Sequence, residues 1–251
     1  MKLTTKGIEL NKISIIVPSY EEGELLSLTL TSIIADCAEI PYEILVIVDT
    51  IFDSSIEIVR KVKKQNKNIN VLIQENNGAY NAIRFGIRQS NSPFLIIFTA
   101  DNTDDSKDIV KMYRCLMDGA EYVVASRYLS GGSYSGGSKF KRTLSICASK
   151  ILELRHGAIG SDPTNGFKAL SRNFYEQVEL VESKGFTYGL QFLYHAIRLN
   201  LEVRVIPTTW KERVSGTSKF KIMSWLPSYL SWFLKLLVIS SPKSTRKSRV
   251  V

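Results

Sequence analysis

The chain has 251 residues, 44% of them hydrophobic, and a formal net charge of +9. That length and apolar content suit one large domain, or a domain with an appendage, around a sizeable core. The positive charge fits an anionic partner such as nucleotide phosphates, nucleic acid or an acidic membrane surface. Cys37, Cys115 and Cys147 lack metal-ligand spacing and read as reduced, buried thiols, and with only His156 and His195 a His-rich zinc site is not expected.

The opening MKLTTKGIELNK has no apolar core and is not expected to be a signal peptide. Then ISIIVP (13–18), YEILVIV (42–48), INVLIQ (69–74), FLIIF (94–98) and EYVVAS (121–126) are nearly continuous apolar runs, as in strands buried on both faces. Between them Leu26, Leu30, Ile33, Ile34 and Cys37 fall at helical spacing, as do Ile56, Val59 and Val62, and later Ile109, Met112 and Leu116. This alternation predicts an α/β fold: a mostly parallel sheet flanked by helices, with ligands beyond the carboxyl ends of its strands. Residues 19–22, 49–53 and 99–105 lie there.

SGGSYSGGSKFKR (130–142) reads as a Gly/Ser-rich loop of the kind used as a lid, followed by a helix over 143–154. A helix is expected around 188–199 and a strand over 201–207. From Ile222 to Ser240 the chain is mostly apolar, with Ser224, Ser228, Ser231 and Lys235 as a narrow polar stripe. Pro227 falls in the first turn if Ser224 caps this helix. The length is about that of a membrane span, but the serines, Lys235 and the acid-free tail PKSTRKSRVV favour a C-terminal amphipathic helix lying in the membrane interface. Packing on its own domain and a single span are the alternatives. The expected division is 1–220 for the catalytic domain and 221–251 for the interface helix and tail.

The polar segments carry the chemistry. In FTADNTDD, Asp101 ends a buried strand and is the best carboxylate for a hard divalent ion, with Asn102, Thr103, Asp104 and Asp105 close by; helix capping is the expected role of Asp104 and Asp105. Asp49 and Asp53 follow the second strand, where they can accept hydrogen bonds from a base or ribose, with capping near Ser54 as the other role for Asp53. Gly78 opens the next helix, where a turn can approach a donor closely. Arg127, Lys139, Lys141 and Arg142 surround the Gly/Ser loop, and Arg213, Ser218 and Lys219 form a second basic group; both suit phosphate, or else a solvated surface. Together with DPTNGFKALSR (162–172), these segments suggest an enzyme that holds a nucleotide-sugar diphosphate through a metal ion and presents it to an anionic acceptor.

The same blocks resemble the family 2 glycosyltransferases of GT-A fold, above all the branch of dolichyl-phosphate mannosyltransferases and bacterial polyprenyl-phosphate sugar transferases. The resemblance runs from about Ile13 to Phe220. VPSYEEGE is similar to the family's opening motif and brings Pro18, Tyr20 and Glu22 to the nucleotide pocket. VIVDTIFDSS resembles the nucleotide-binding acidic stretch through Asp49 and Asp53, with Val48 in place of its first acid. FTADNTDD resembles the metal-binding Asp-x-Asp, which implies Mg²⁺ or Mn²⁺ on Asp101 and Thr103. Arg127, Arg142 and Ser145 match residues associated with the lipid phosphate, and Arg213, Ser218 and Lys219 a loop over the site. Two departures stand out: Thr99 replaces the first Asp of Asp-x-Asp, and Thr187 and Gln191 stand where Glu is common.

The resemblance implies a GT-A Rossmann-like fold and inverting transfer from a GDP- or UDP-linked sugar to a polyprenyl phosphate, by a peripheral protein on the cytosolic membrane face, with room for a separate membrane subunit. Its rivals are a family 2 transferase acting on a glycan or other hydroxyl acceptor and a decayed nucleotide-sugar-binding protein. Nucleic acid is not an expected partner, because no aromatic-basic reader motif is present.

Overall fold

The computed structural model describes residues 11–182, 185–213, 222–240 and 249–250. In chain order the elements are β1 (Ile13–Pro18), α1 (Glu24–Asp36), β2 (Tyr42–Val48), α2 (Ser55–Lys63), β3 (Ile69–Ile73), α3 (Ala79–Gln89), β4 (Phe94–Ile97), α4 (Lys107–Met117), β5 (Tyr122–Ser126), β6 (Ser133–Ser135), α5 (Lys139–His156), β7 (Lys168–Ser171), α6 (Arg172–Glu176), α7 (Tyr188–Arg198), β8 (Val203–Pro207), β9 (Thr209–Lys211), α8 (Ile222–Val238) and β10 (Arg249–Val250). Eight strands form one sheet in the order β10-β8-β5-β7-β4-β1-β2-β3. All its pairings are parallel except those of β7, which runs antiparallel to both β4 and β5.

Strands β1, β2, β4, β5 and β8 are buried on both faces, as their unbroken apolar runs require, whereas β3, expected to be buried likewise, is an edge strand of the sheet and leaves Ile73 exposed. In β1, Ile13, Ile15 and Val17 join the core under α1, α2 and α4, while Ile16 joins the opposite core under α3 and α7. At Gly86 of α3 a Cβ would lie 2.7 Å from the Ile16 side chain, so the missing side chain lets this helix sit close on the sheet.

Strand direction positions the site. The carboxyl ends of β1, β2, β4 and β5 deliver residues 19–22, 49, 99–101 and 127 to one edge of the sheet. Because β7 is reversed, the segment before it, 162–167, reaches that same edge. Sequence order alone does not reveal this reversal: KALS is short and carries Lys168, which is fully buried.

Four local expectations are corrected. The helix expected over 143–154 starts at Lys139, where the Ser138 side chain accepts a bond from the Lys141 amide, so Lys139, Lys141 and Arg142 belong to its first turn. The Gly/Ser stretch is ordered in part as β6, which pairs with β9. Pro227 lies inside α8 rather than in its first turn. Cys37 and Cys115 are buried as expected, whereas Cys147 is exposed.

Helix α8 packs Trp232 and Leu236 into the same core as α7. Leu226, Leu230, Leu234 and Val238 nevertheless form an exposed row along it, and α5 exposes Phe140, Leu144, Ile151 and Leu154. Among the described residues no helix is long and apolar enough to cross a membrane.

Candidate active site

A cavity of about 1160 Å³ opens at this sheet edge. Of the residues singled out in the sequence, Pro18, Tyr20, Glu22, Asp49, Gly78, Asp101, Thr103, Arg127 and Ser145 line it. It continues between α5 and α8, where Leu144, Ile151, Leu226, Leu230 and Phe233 form its wall.

Asp49 is braced at both oxygens, by the Gln74 side-chain amide and by the Gly78 amide at 3.1 Å. Gly78 has φ +101°, a conformation side chains resist, and so brings its backbone to the carboxylate. Asp53 lies outside the cavity lining. Its carboxylate accepts from the Ser55 amide at 2.8 Å and the Glu21 amide at 3.2 Å, tying the loop after β1 to the start of α2.

Asp101 accepts from Thr103 Oγ1 at 2.8 Å on Oδ1 and from Arg213 Nη2 at 2.7 Å on Oδ2. Arg213 also donates to Glu22 at 3.2 Å. Its guanidinium thus bridges two acids at the cavity mouth. Ser218 and Lys219, the other two residues expected in this loop, lie outside the described residues.

Asp104 is not a helix cap. Its Oδ2 accepts from Thr99 Oγ1 at 2.9 Å, and its Oδ1 is buried with no hydrogen-bond partner among the described residues. The capping-type bond comes instead from Asp105, which accepts from the Lys107 amide at 3.1 Å. Burial first, and the Asp101 charge second, push the Asp104 carboxyl up to about 7. An unfolded aspartate titrates near about 4, so the folded protein holds a proton that the unfolded chain has lost between those values. Stability therefore falls as pH rises from about 4 to about 7. Asp104→Asn should raise the melting temperature of the metal-free protein at pH 8, with the gain shrinking toward pH 5. Calorimetry at both pH values checks this; an equal gain at both would contradict it.

Arg127 is held by Asp162, a residue with no solvent exposure and φ +53°. Arg127 Nε and Nη2 each donate to this carboxylate at 2.7 Å, and the Arg127 amide adds a third bond at 2.9 Å. Nη1 takes no part in the pairing. Lys168 Nζ donates to the Asp162 carbonyl at 3.1 Å, and burial pulls its ammonium down to about 7. The DPTNGF segment is therefore the floor of the site: Asn165 anchors to the Ala125 carbonyl, and Asp162 aims the arginine.

An aromatic wall stands beside it. Tyr134 stacks on Trp210 at 4.5 Å, and the Arg127 and Arg142 guanidinium carbons lie 5.1 and 5.2 Å from the Tyr134 ring centroid. Arg142 is exposed and does not line the cavity, whereas Lys141 does. Ser145 shares a hydrogen bond with Thr164. Thr187 and Gln191 are fully buried, and Gln191 clamps the Val181 backbone through bonds of 3.0 and 3.1 Å. Nothing in the sequence alone gives Asp162, Tyr134 or Trp210 a specific role. The signal for Asp162 was present in the DPTNGF block; Tyr134 and Trp210 meet only through the β6–β9 pairing.

Among the described residues no group of three or more His, Cys, Asp or Glu could hold a metal ion. The oxygens present, the Asp101 carboxylate, the Thr103 hydroxyl and the unpartnered Asp104 Oδ1, nevertheless suit a hard divalent ion whose remaining ligands are phosphate oxygens.

Residues 14–179 match the family described as Glycosyl transferase family 2. A dolichol-phosphate mannosyltransferase of Pyrococcus furiosus is 25% identical over 218 residues, covering 84% of this chain and 59% of that protein. This chain thus spans less than two thirds of that relative. A polyprenol monophosphomannose synthase of Mycolicibacterium smegmatis is 24% identical over 229 residues, covering 84% of this chain and 85% of that protein. In fold, the chain is similar to glucosyl-3-phosphoglycerate synthase from Mycobacterium tuberculosis. The structure of that protein with Mn²⁺, uridine diphosphate and glucosyl-3-phosphoglycerate superposes with a TM-score of 0.65 at 14% identity, covering 92% of this chain and 81% of the other.

Proposed function

Because the chain belongs to glycosyl transferase family 2, we propose that it moves a sugar, with inversion, from a nucleotide-sugar donor to a polyprenyl phosphate at the cytosolic face of a membrane. The observation that carries this reading is the cavity itself. Its polar end holds Asp49, Asp101 and Arg127, and its other end runs between α5 and α8 past Leu144, Ile151, Leu226 and Leu230. An acceptor with an anionic head and a long apolar tail matches both ends. The names of the Pyrococcus and Mycolicibacterium relatives agree with such an acceptor.

Asp49 and the Gly78 turn take the nucleoside, and Glu22 with Asp101 fixes Arg213 at the entrance. When a donor binds, Arg213 shifts from these acids onto the diphosphate, where its charge is needed. Asp101 and Thr103 would hold a divalent ion, which would supply Lewis-acid neutralisation of the departing diphosphate. Arg127, preset by Asp162, points the acceptor phosphate with Ser145 and Lys141 alongside. A phosphomonoester has a second pKa of about 6, so at neutral pH its oxygen is already a nucleophile and no general base is required. One phosphate oxygen forms the new bond to C1 as the bond from C1 to the nucleotide diphosphate breaks on the opposite face. Catalysis is then mostly positioning and electrostatics.

In this reading residues 1–220 do the chemistry and 221–251 make the membrane contact. The exposed apolar rows of α5 and α8 meet the lipid. Leu230→Glu tests the apolar branch, since this side chain is 52% exposed and lines the cavity. It should raise KM for a long-chain polyprenyl phosphate and weaken binding to anionic vesicles, while KM for the nucleotide sugar holds. An unchanged lipid KM would remove α8 from the acceptor path.

A further inference from the structure

The sequence lacks the first acid of Asp-x-Asp, because Thr99 stands in its place. The structure puts another acid behind that threonine. We propose that Asp104 is the second carboxylate of the divalent-cation site, taking the place of the acid missing at position 99. This rests on the reading that Asp101 holds a divalent ion for the donor diphosphate.

Four observations carry the assignment. Asp104 lines the same cavity as Asp101 and Thr103. Its two oxygens are treated differently: Thr99 Oγ1 donates to Oδ2 at 2.9 Å and fixes the carboxylate's orientation, while Oδ1 is buried with no partner among the described residues. A carboxylate with one oxygen pinned by a neighbouring donor and the other without a donor is how a ligating carboxylate is held before its metal arrives. Third, nearby cations do not satisfy it: Arg127 spends Nε and Nη2 on Asp162, and Lys168 donates to the Asp162 carbonyl. Fourth, its backbone is fixed by an antiparallel bridge to Trp210, and the Lys211 amide bonds the Thr103 carbonyl at 2.9 Å. The acidic loop is thereby clamped by the segment that delivers Arg213. A buried acceptor without a partner is costly unless a ligand completes it. A divalent cation between two carboxylates supplies what is missing, and hard oxygen donors select Mg²⁺ or Mn²⁺.

The test reads metal binding directly rather than turnover. Mn²⁺ is titrated into the full chain and followed by electron paramagnetic resonance, first alone and then with uridine or guanosine diphosphate present. Asp104→Asn should weaken Mn²⁺ binding by about tenfold or more, and adding Thr99→Asp to that variant should restore it. Asp101→Asn is the reference. If Asp101→Asn weakens Mn²⁺ and Asp104→Asn does not, this assignment is overturned while the proposed metal site stands. If the wild-type chain binds no Mn²⁺ with either nucleotide, both fail. Carbon-13 hyperfine spectra of wild-type protein labelled at its aspartate carboxyls need no variant to fold: couplings from two carboxyl groups support the assignment, and coupling from one contradicts it.

Discussion

Asp101→Asn is expected to reduce transfer by about a thousandfold, the scale on which a charge-stabilising group at a developing anion acts. Asp101 is the meeting point of the site's polar end. It receives Thr103 on one oxygen and Arg213 on the other, so its charge both organises the acidic loop and holds the entrance arginine. The amide keeps the shape and loses the charge. Its side chain is 20% exposed, so the fold should tolerate the change and the loss should appear in kcat more than in melting temperature. Initial rates with Mg²⁺ and Mn²⁺, beside a melting curve of the same sample, decide the point. Near-normal turnover in a folded variant would take the metal role away from Asp101.

Arg127→Ala should be the most damaging change to the fold of the site. It strips two hydrogen bonds and a countercharge from Asp162, which has no solvent exposure. Breaking a buried ion pair by removing one partner costs about 3–5 kcal/mol, because the remaining charge stays desolvated. Asp162→Ala should cost a similar amount for the converse reason, and urea unfolding of both variants measures it. Arg127→Lys separates folding from catalysis. It keeps a charge near Asp162 but loses the planar fork, so it should fold and still raise KM for the acceptor phosphate. A lysine variant with wild-type acceptor KM would leave Arg127 as a structural clamp only.

The parallel strands could be read from the sequence because burial on both faces leaves unbroken apolar runs, and site residues at their carboxyl ends followed from that. Strand β7 could not, because a buried lysine and a four-residue length erase the pattern. Its reversal is what brings Asp162 under Arg127, so the sequence does not reveal the clamp although DPTNGF contains one of its two residues. The start of helix α5 is obscured in the sequence because its first turn is basic and follows glycines; the signal for it is Ser138, whose side chain caps it. In sequence Asp53 suits either the donor or the start of α2, and only the structure decides, by committing its oxygens to the Ser55 and Glu21 amides. A capping role for Asp104 is the natural expectation from sequence because acids before helices commonly cap. Its bond to Thr99 depends on the turn after β4, which local sequence does not specify.

The central claim, sugar transfer to a lipid phosphate, is tested most directly by incubating the protein with a panel of labelled GDP- and UDP-sugars and a polyprenyl phosphate, with Mg²⁺, Mn²⁺ or chelator, and counting label in the organic phase. The account predicts extractable label from one donor, lost with chelator and in Asp101→Asn. Folded protein that binds nucleotide but labels no lipid from any donor would contradict it.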